Sequence, residues 1–92
     1  RLEGLKQLQY LSLEGSKING DGLAVLKSLP GLKSLSLNRT KITDKSLKHL
    51  LVVKNLTILL LNDTEVSDEG TATLALLPRL EWLYLNRTRV TD

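Results

Sequence analysis

The sequence predicts an α/β solenoid: a right-handed, curved stack of strand-helix units, with a parallel sheet on the concave face and helices on the convex face. Three observations predict it. One pattern returns every 24 residues without insertion: Leu32 to Ile42 matches Leu56 to Val66, Leu80 to Val90 and, upstream, Leu8 to Ile18. Each unit splits into halves of different hydrophobic period. Leucine supplies 24 of the 92 residues, with no Phe, Met or Cys, so the core is built of one kind of side chain. A fixed period of this length marks a repeat array, in which each unit buries its apolar edge only against its neighbours.

Residues 1–6 read as the tail of a preceding unit, since Leu2 and Leu5 align with Leu26 and Leu29. Units then run 7–30, 31–54, 55–78 and a truncated 79–92, with no linker, as a single array over 1–92. Arg1 is not a natural start and the period is cut at both ends, so the chain is expected to be a fragment of a longer array.

In the first half of each unit, apolar and polar residues alternate: Leu35 and Leu37 face one way, Ser34, Ser36 and Asn38 the other. This predicts short strands near 10–13, 34–37, 58–61 and 82–85. The second half has helical spacing, with Leu47, Leu50, Leu51 and Lys54 at i, i+3, i+4 and i+7, and Leu23, Leu26 and Leu29 one unit earlier. Helices are predicted near 21–29, 44–53 and 68–77. Thr43-Asp44 and Ser67-Asp68, with Asn19 in the first unit, offer side-chain oxygens as N-caps. Pro30 and Pro78 close the helical half, with Lys54 at the equivalent place. Strands stack at about 4.8 Å and helices at about 8–10 Å, so the stack must curve with its strands inside.

The motif LxxLxLxxTxI followed by TDxxLxxLxx resembles the leucine-rich repeat family, over essentially the whole chain. Its 24-residue length and Thr-Asp helix start are similar to bacterial and ribonuclease-inhibitor-like variants. The resemblance implies a concave sheet and convex helices. The family usually carries Asn at the ninth place, where this chain has Ser16, Thr40, Thr64 and Thr88. A hydroxyl has one donor where an amide has two, so fewer bonds per turn are expected. The chain lacks the Phe of the extracellular Phe-spine class and the cysteine-rich caps of many animal members.

No catalytic constellation is visible. His49 is the only histidine, there is no cysteine, and His49 lies off the apolar stripe, where it reads as a solvated residue. Asp44 and Asp68 read as helix caps rather than metal ligands. Asn19-Gly20-Asp21-Gly22 lacks the Lys-Ser/Thr of a phosphate loop. These features predict no enzyme, cofactor or metal. A net charge of +3 without an aromatic-basic cluster gives no nucleic-acid signal, and no apolar run approaches the roughly 18 residues of a membrane helix.

Four Asn-x-Thr sequons occur, at Asn38, Asn55, Asn62 and Asn86. Three share one repeat position, which favours an Asn ladder over glycans too bulky for neighbouring strands. Arg39 and Lys41, then Asp63 and Glu65, then Arg87 and Arg89 place opposite charges across each junction. Such pairs set stacking order more than stability.

The outward strand positions read Tyr10 and Ser12, Ser34 and Ser36, Ile58 and Leu60, Trp82 and Tyr84. The last two units thus present four large side chains together. Trp and Tyr are favoured interface anchors. The expected function is a protein-interaction module that binds a protein partner through Ile58, Leu60, Trp82 and Tyr84, flanked by Asn62, Asn86 and Arg87. The alternative is a spacer or assembly segment of a larger, possibly enzymatic protein. Three further expectations follow. The third helix is the weakest, with Thr71 at a leucine position after Gly70. Thr40 and Thr64 point inward and bond backbone groups. The terminal turns, with Leu8, Leu11 and Leu13 at one end and Leu80, Leu83 and Leu85 at the other, favour end-to-end self-association.

Overall fold

The computed structural model describes residues 8–18 and 21–90. The Asn19 cap and the 1–6 tail lie outside the described residues. Strands β1 (Tyr10–Ser12), β2 (Ser34–Ser36), β3 (Ile58–Leu60) and β4 (Trp82–Tyr84) form one parallel sheet in chain order. The register is the repeat itself: Leu11 pairs with Leu35, Leu35 with Leu59 and Leu59 with Leu83. A 3₁₀ helix (Asp21–Ser28) follows β1, a second (Asp44–Val52) follows β2, and α1 (Asp68–Leu74) follows β3. Strand backbones lie beside strands and helix backbones beside helices, and the two ladders meet through side chains.

That meeting is a leucine core. Leu32, Leu35, Leu37 and Ile42 of one unit and Leu56, Leu59, Leu61 and Val66 of the next are fully buried. Each such side chain contributes roughly 1.5–3 kcal/mol relative to exposure. The end units are wetter: Leu8, Leu11 and Leu13, and Leu80, Leu83 and Leu85, are only partly buried.

Two of the three helices differ from the α-helical expectation. The buried apolar residues in them and just past their ends are Leu23, Leu26 and Leu29, then Leu47, Leu50 and Val53. That is a spacing of three, the period at which 3₁₀ side chains eclipse. Leu51, assigned to the stripe by an α period, is half-buried, and Val53 takes the core place. His49 is half-buried rather than solvated, because the three-residue period puts it on the face of buried Ser46.

The third helix is the only α-helix among the described elements, and it ends at Leu74 rather than 77. Its buried residues, Gly70 and Leu74, are four apart, an α spacing, and buried Leu77 follows just past its end. Thr71 is half-buried, and its hydroxyl donates to the Asp68 carbonyl at 2.7 Å. Gly70 is not merely a weak helix former. A Cβ there would meet the Asp44 carboxylate, with Leu47 at 2.7 Å and Val66 at 2.9 Å. The glycine lets α1 settle against the preceding unit.

At the cap positions themselves, neither Thr43 nor Ser67 makes a side-chain cap bond. Asp44 reaches across the junction instead. Its carboxylate accepts the Ser67 N–H at 2.7 Å and the Ser67 hydroxyl. A carboxylate shared by a backbone and a hydroxyl donor ties the second unit to the third at the helix side.

Candidate functional site

The ninth-place hydroxyls turn inward. Thr40 and Thr64 are buried, and they donate to the Leu37 and Leu61 carbonyls at 2.7 Å; Thr88 does the same to Leu85. Each bond stays within its own turn, so the hydroxyls set turn shape and leave junction bonding to other groups. The Ser16 oxygen accepts the Ile18 N–H at 3.4 Å, as that of Thr88 accepts the Val90 N–H at 3.3 Å.

The junction bonds come from the asparagines two places earlier. Asn38 Oδ1 accepts the Asn62 N–H at 2.8 Å, and Asn62 Oδ1 accepts the Asn86 N–H at 2.7 Å. The Asn62 and Asn86 carbonyls accept the N–H groups of Arg39 and Asp63. The sequons at Asn38, Asn62 and Asn86 thus lie on an Asn ladder. Arg39 and Asp63 aim those N–H groups from positive φ of 56° and 58°, as Gly15 aims its own at the Asn38 carbonyl from 73°, and Arg87 has the same turn at 57°. A side chain in that region costs roughly 1–2 kcal/mol, which the ladder bonds offset.

The charges that follow are partly as expected. Arg87 forks onto Asp63, with Nε at 2.5 Å and Nη2 at 2.9 Å. The guanidinium holds the Asp63 carboxyl below its ordinary range, chiefly through the hydrogen bond. Arg39 makes its ion pair with Glu14 in the preceding unit and acts on Asp63 only as a nearby charge. The 24-residue alignment missed this because the partners are 25 apart.

The seven residues singled out on the concave side do come together. Ile58 and Trp82 are register partners, as are Leu60 and Tyr84. Trp82 is 55% and Tyr84 44% exposed, while Ile58 and Leu60 are half-buried beside them. Asn62 and Asn86 continue the same outward file, and Arg87 borders it with its guanidinium on Asp63. Ser34 is buried rather than open, because a small side chain is shaded by larger neighbours such as its register partner Ile58. Tyr10, 73% exposed, stands alone on β1. On the helix side Val52 and Leu76 are also exposed, at equivalent repeat places. Neither lies on a strand file, so the alternation of the strands does not mark them.

Among the described residues, no cluster of His, Asp or Glu is arranged to hold a metal, and no helix is long and apolar enough to cross a membrane. The cleft beside Arg79, lined by Lys33, Asn55, Thr57 and Glu81, lies on the opposite rim from the Asn file.

The class these features define is a leucine-rich repeat solenoid. No family model and no curated protein sequence matches the chain. Solved structures do. One is the BIR3–SERK2 complex from Arabidopsis thaliana, with a TM-score of 0.68 at 24% identity, covering 99% of this chain and 49% of that one. Another is an internalin, InlF, from Listeria monocytogenes, with a TM-score of 0.58 at 23% identity, covering 92% and 30%. Both are leucine-rich repeat proteins, and the chain shares their fold. It spans about half the length of the first and under a third of the second.

Proposed function

We propose that the chain is a protein-interaction module whose partner docks on the concave patch of Ile58, Leu60, Trp82 and Tyr84, with Asn62, Asn86 and Arg87 at its edge. The observation that carries this reading is the pair of open aromatic rings two residues apart on β4, 55% and 44% exposed, beside half-buried Ile58 and Leu60 on the adjacent strand. A rigid sheet holds the rings at low entropy cost, and ordered aromatics are favoured binding anchors. One neighbour of this fold was solved as a complex of two named proteins, BIR3 with SERK2, which supports an interaction role for the architecture.

The test is a quantitative capture experiment with the native chain and a Trp82→Ala/Tyr84→Ala variant shown by circular dichroism to be folded. A partner held by the native chain is expected to bind the variant at least about tenfold more weakly, as hot-spot truncation does. Equal retention by both would favour a spacer, to which these side chains are indifferent.

A further inference from the structure

We propose that the occupant of the concave patch is a short, extended peptide segment rather than the face of a folded domain. An apolar side chain of the segment rests on Trp82 and Tyr84, and its backbone carbonyls accept hydrogen bonds from the side-chain amides of Asn62 and Asn86. This rests on the reading of the patch as a binding surface, and two observations carry it further.

The first is area. Trp82 and Tyr84 are 55% and 44% exposed. With about 200 Å² per aromatic side chain, they offer roughly 200 Å² together. Half-buried Ile58 and Leu60 bring the patch to roughly 300 Å². A stable interface between folded surfaces buries about 800 Å² on each partner. Slightly over half of such a face is apolar, roughly 450 Å², so the four side chains fall short of it and are nearer to what a few residues of a peptide cover.

The second is hydrogen-bond polarity. Asn38 and Asn62 spend their Oδ1 atoms on the ladder. What Asn62 has left is its Nδ2 group, a donor with no acceptor among the described residues, and Asn86 stands exposed beside it. The ladder thus presents donors next to the apolar patch and seeks acceptors. A helix has its carbonyls bonded internally, whereas an extended segment brings them free. An apolar anchor flanked by free carbonyls is the chemistry of an extended peptide.

The experiment selects a phage library of random twelve-residue peptides on the 92-residue chain, then titrates the synthetic binders into ¹⁵N-labelled protein. Shifts are expected at the Trp82 indole N–H and the Asn62 and Asn86 side-chain amides. Affinity should fall at least about tenfold in Trp82→Ala/Tyr84→Ala. It should fall severalfold in Asn62→Asp/Asn86→Asp, where a carboxylate removes the amide donor at both places and at position 62 keeps the acceptor for the Asn86 N–H. Asn86→Asp alone keeps the test readable if the double variant unfolds.

Three results would overturn the peptide assignment. Binding could survive the Asn→Asp changes. A library of folded domains could yield Trp82-dependent binders where peptides yield none. The same shifts could appear on raising protein concentration alone, which would make a second copy the occupant. In each case the Trp82→Ala/Tyr84→Ala variant still reports separately on whether the patch binds anything.

Discussion

Single residues hold this structure where their polarity would not suggest it. Thr64 is buried, and its hydroxyl satisfies the Leu61 carbonyl at 2.7 Å. Replacing it with valine keeps the shape and leaves that carbonyl unpaired, a loss of about 1–3 kcal/mol. Urea unfolding of Thr64→Val should show it as a lower midpoint at unchanged slope. Gly70 sharpens the same point. On an open helix, Gly→Ala gains up to about 1 kcal/mol. Here the added methyl has Leu47 at 2.7 Å and Val66 at 2.9 Å. Overpacking costs about 1–3 kcal/mol, so Gly70→Ala is expected to lower the melting temperature. A rise would mean that α1 can shift away from Leu47 at little cost.

At the scale of elements, the strands were legible and the helices only in part. Alternation located all four strands to within a residue, because one buried face writes a period of two into the sequence. The helices were harder: Leu23, Leu26 and Leu29 fit an α stripe as well as a 3₁₀ one, and only the burial of Val53 over Leu51 separates the two. Asp44 misled because a Thr-Asp pair before a helix has the look of a cap, while its real donors, on Ser67, lie 23 residues away. The concave residues could be named from parity alone. Which of them would be open could not, since Ser34 and Ile58 are shaded by neighbours on other strands. The turn after β3 carries its own prediction. The folded chain holds the Asp63 carboxyl below its ordinary 3.8 through Arg87. Its contribution is therefore complete above the unfolded-state value and is lost as pH falls through the lowered one. Melting temperatures measured from pH 5 downward should fall less steeply in Asp63→Asn. Identical slopes would show that the pair is too solvated to matter.

For the whole molecule, stability should be graded along the stack, because each unit touches only its neighbours. Leu13 and Leu37 offer a matched pair. Each donates its N–H to the next unit at 2.8 Å, Leu13 to Ser36 and Leu37 to Leu60. Leu37 is fully buried and Leu13 half-buried. Hydrogen exchange at Leu13 should therefore be faster, reporting a local opening that the inner unit does not share. Equal rates would indicate that the array opens as one body.

The 24-residue register has a further consequence. Removing any one full period, such as residues 32–55, would bring Tyr10 opposite Ile58 with every strand still in line. Backbone geometry cannot tell one unit from another. The turns can: the deletion takes Arg39 away and leaves Glu14 beside Asp63, two acids where an acid and a base had met. A whole unit can thus be lost with the strand register intact, and only the charges at the new junction record that the order has changed.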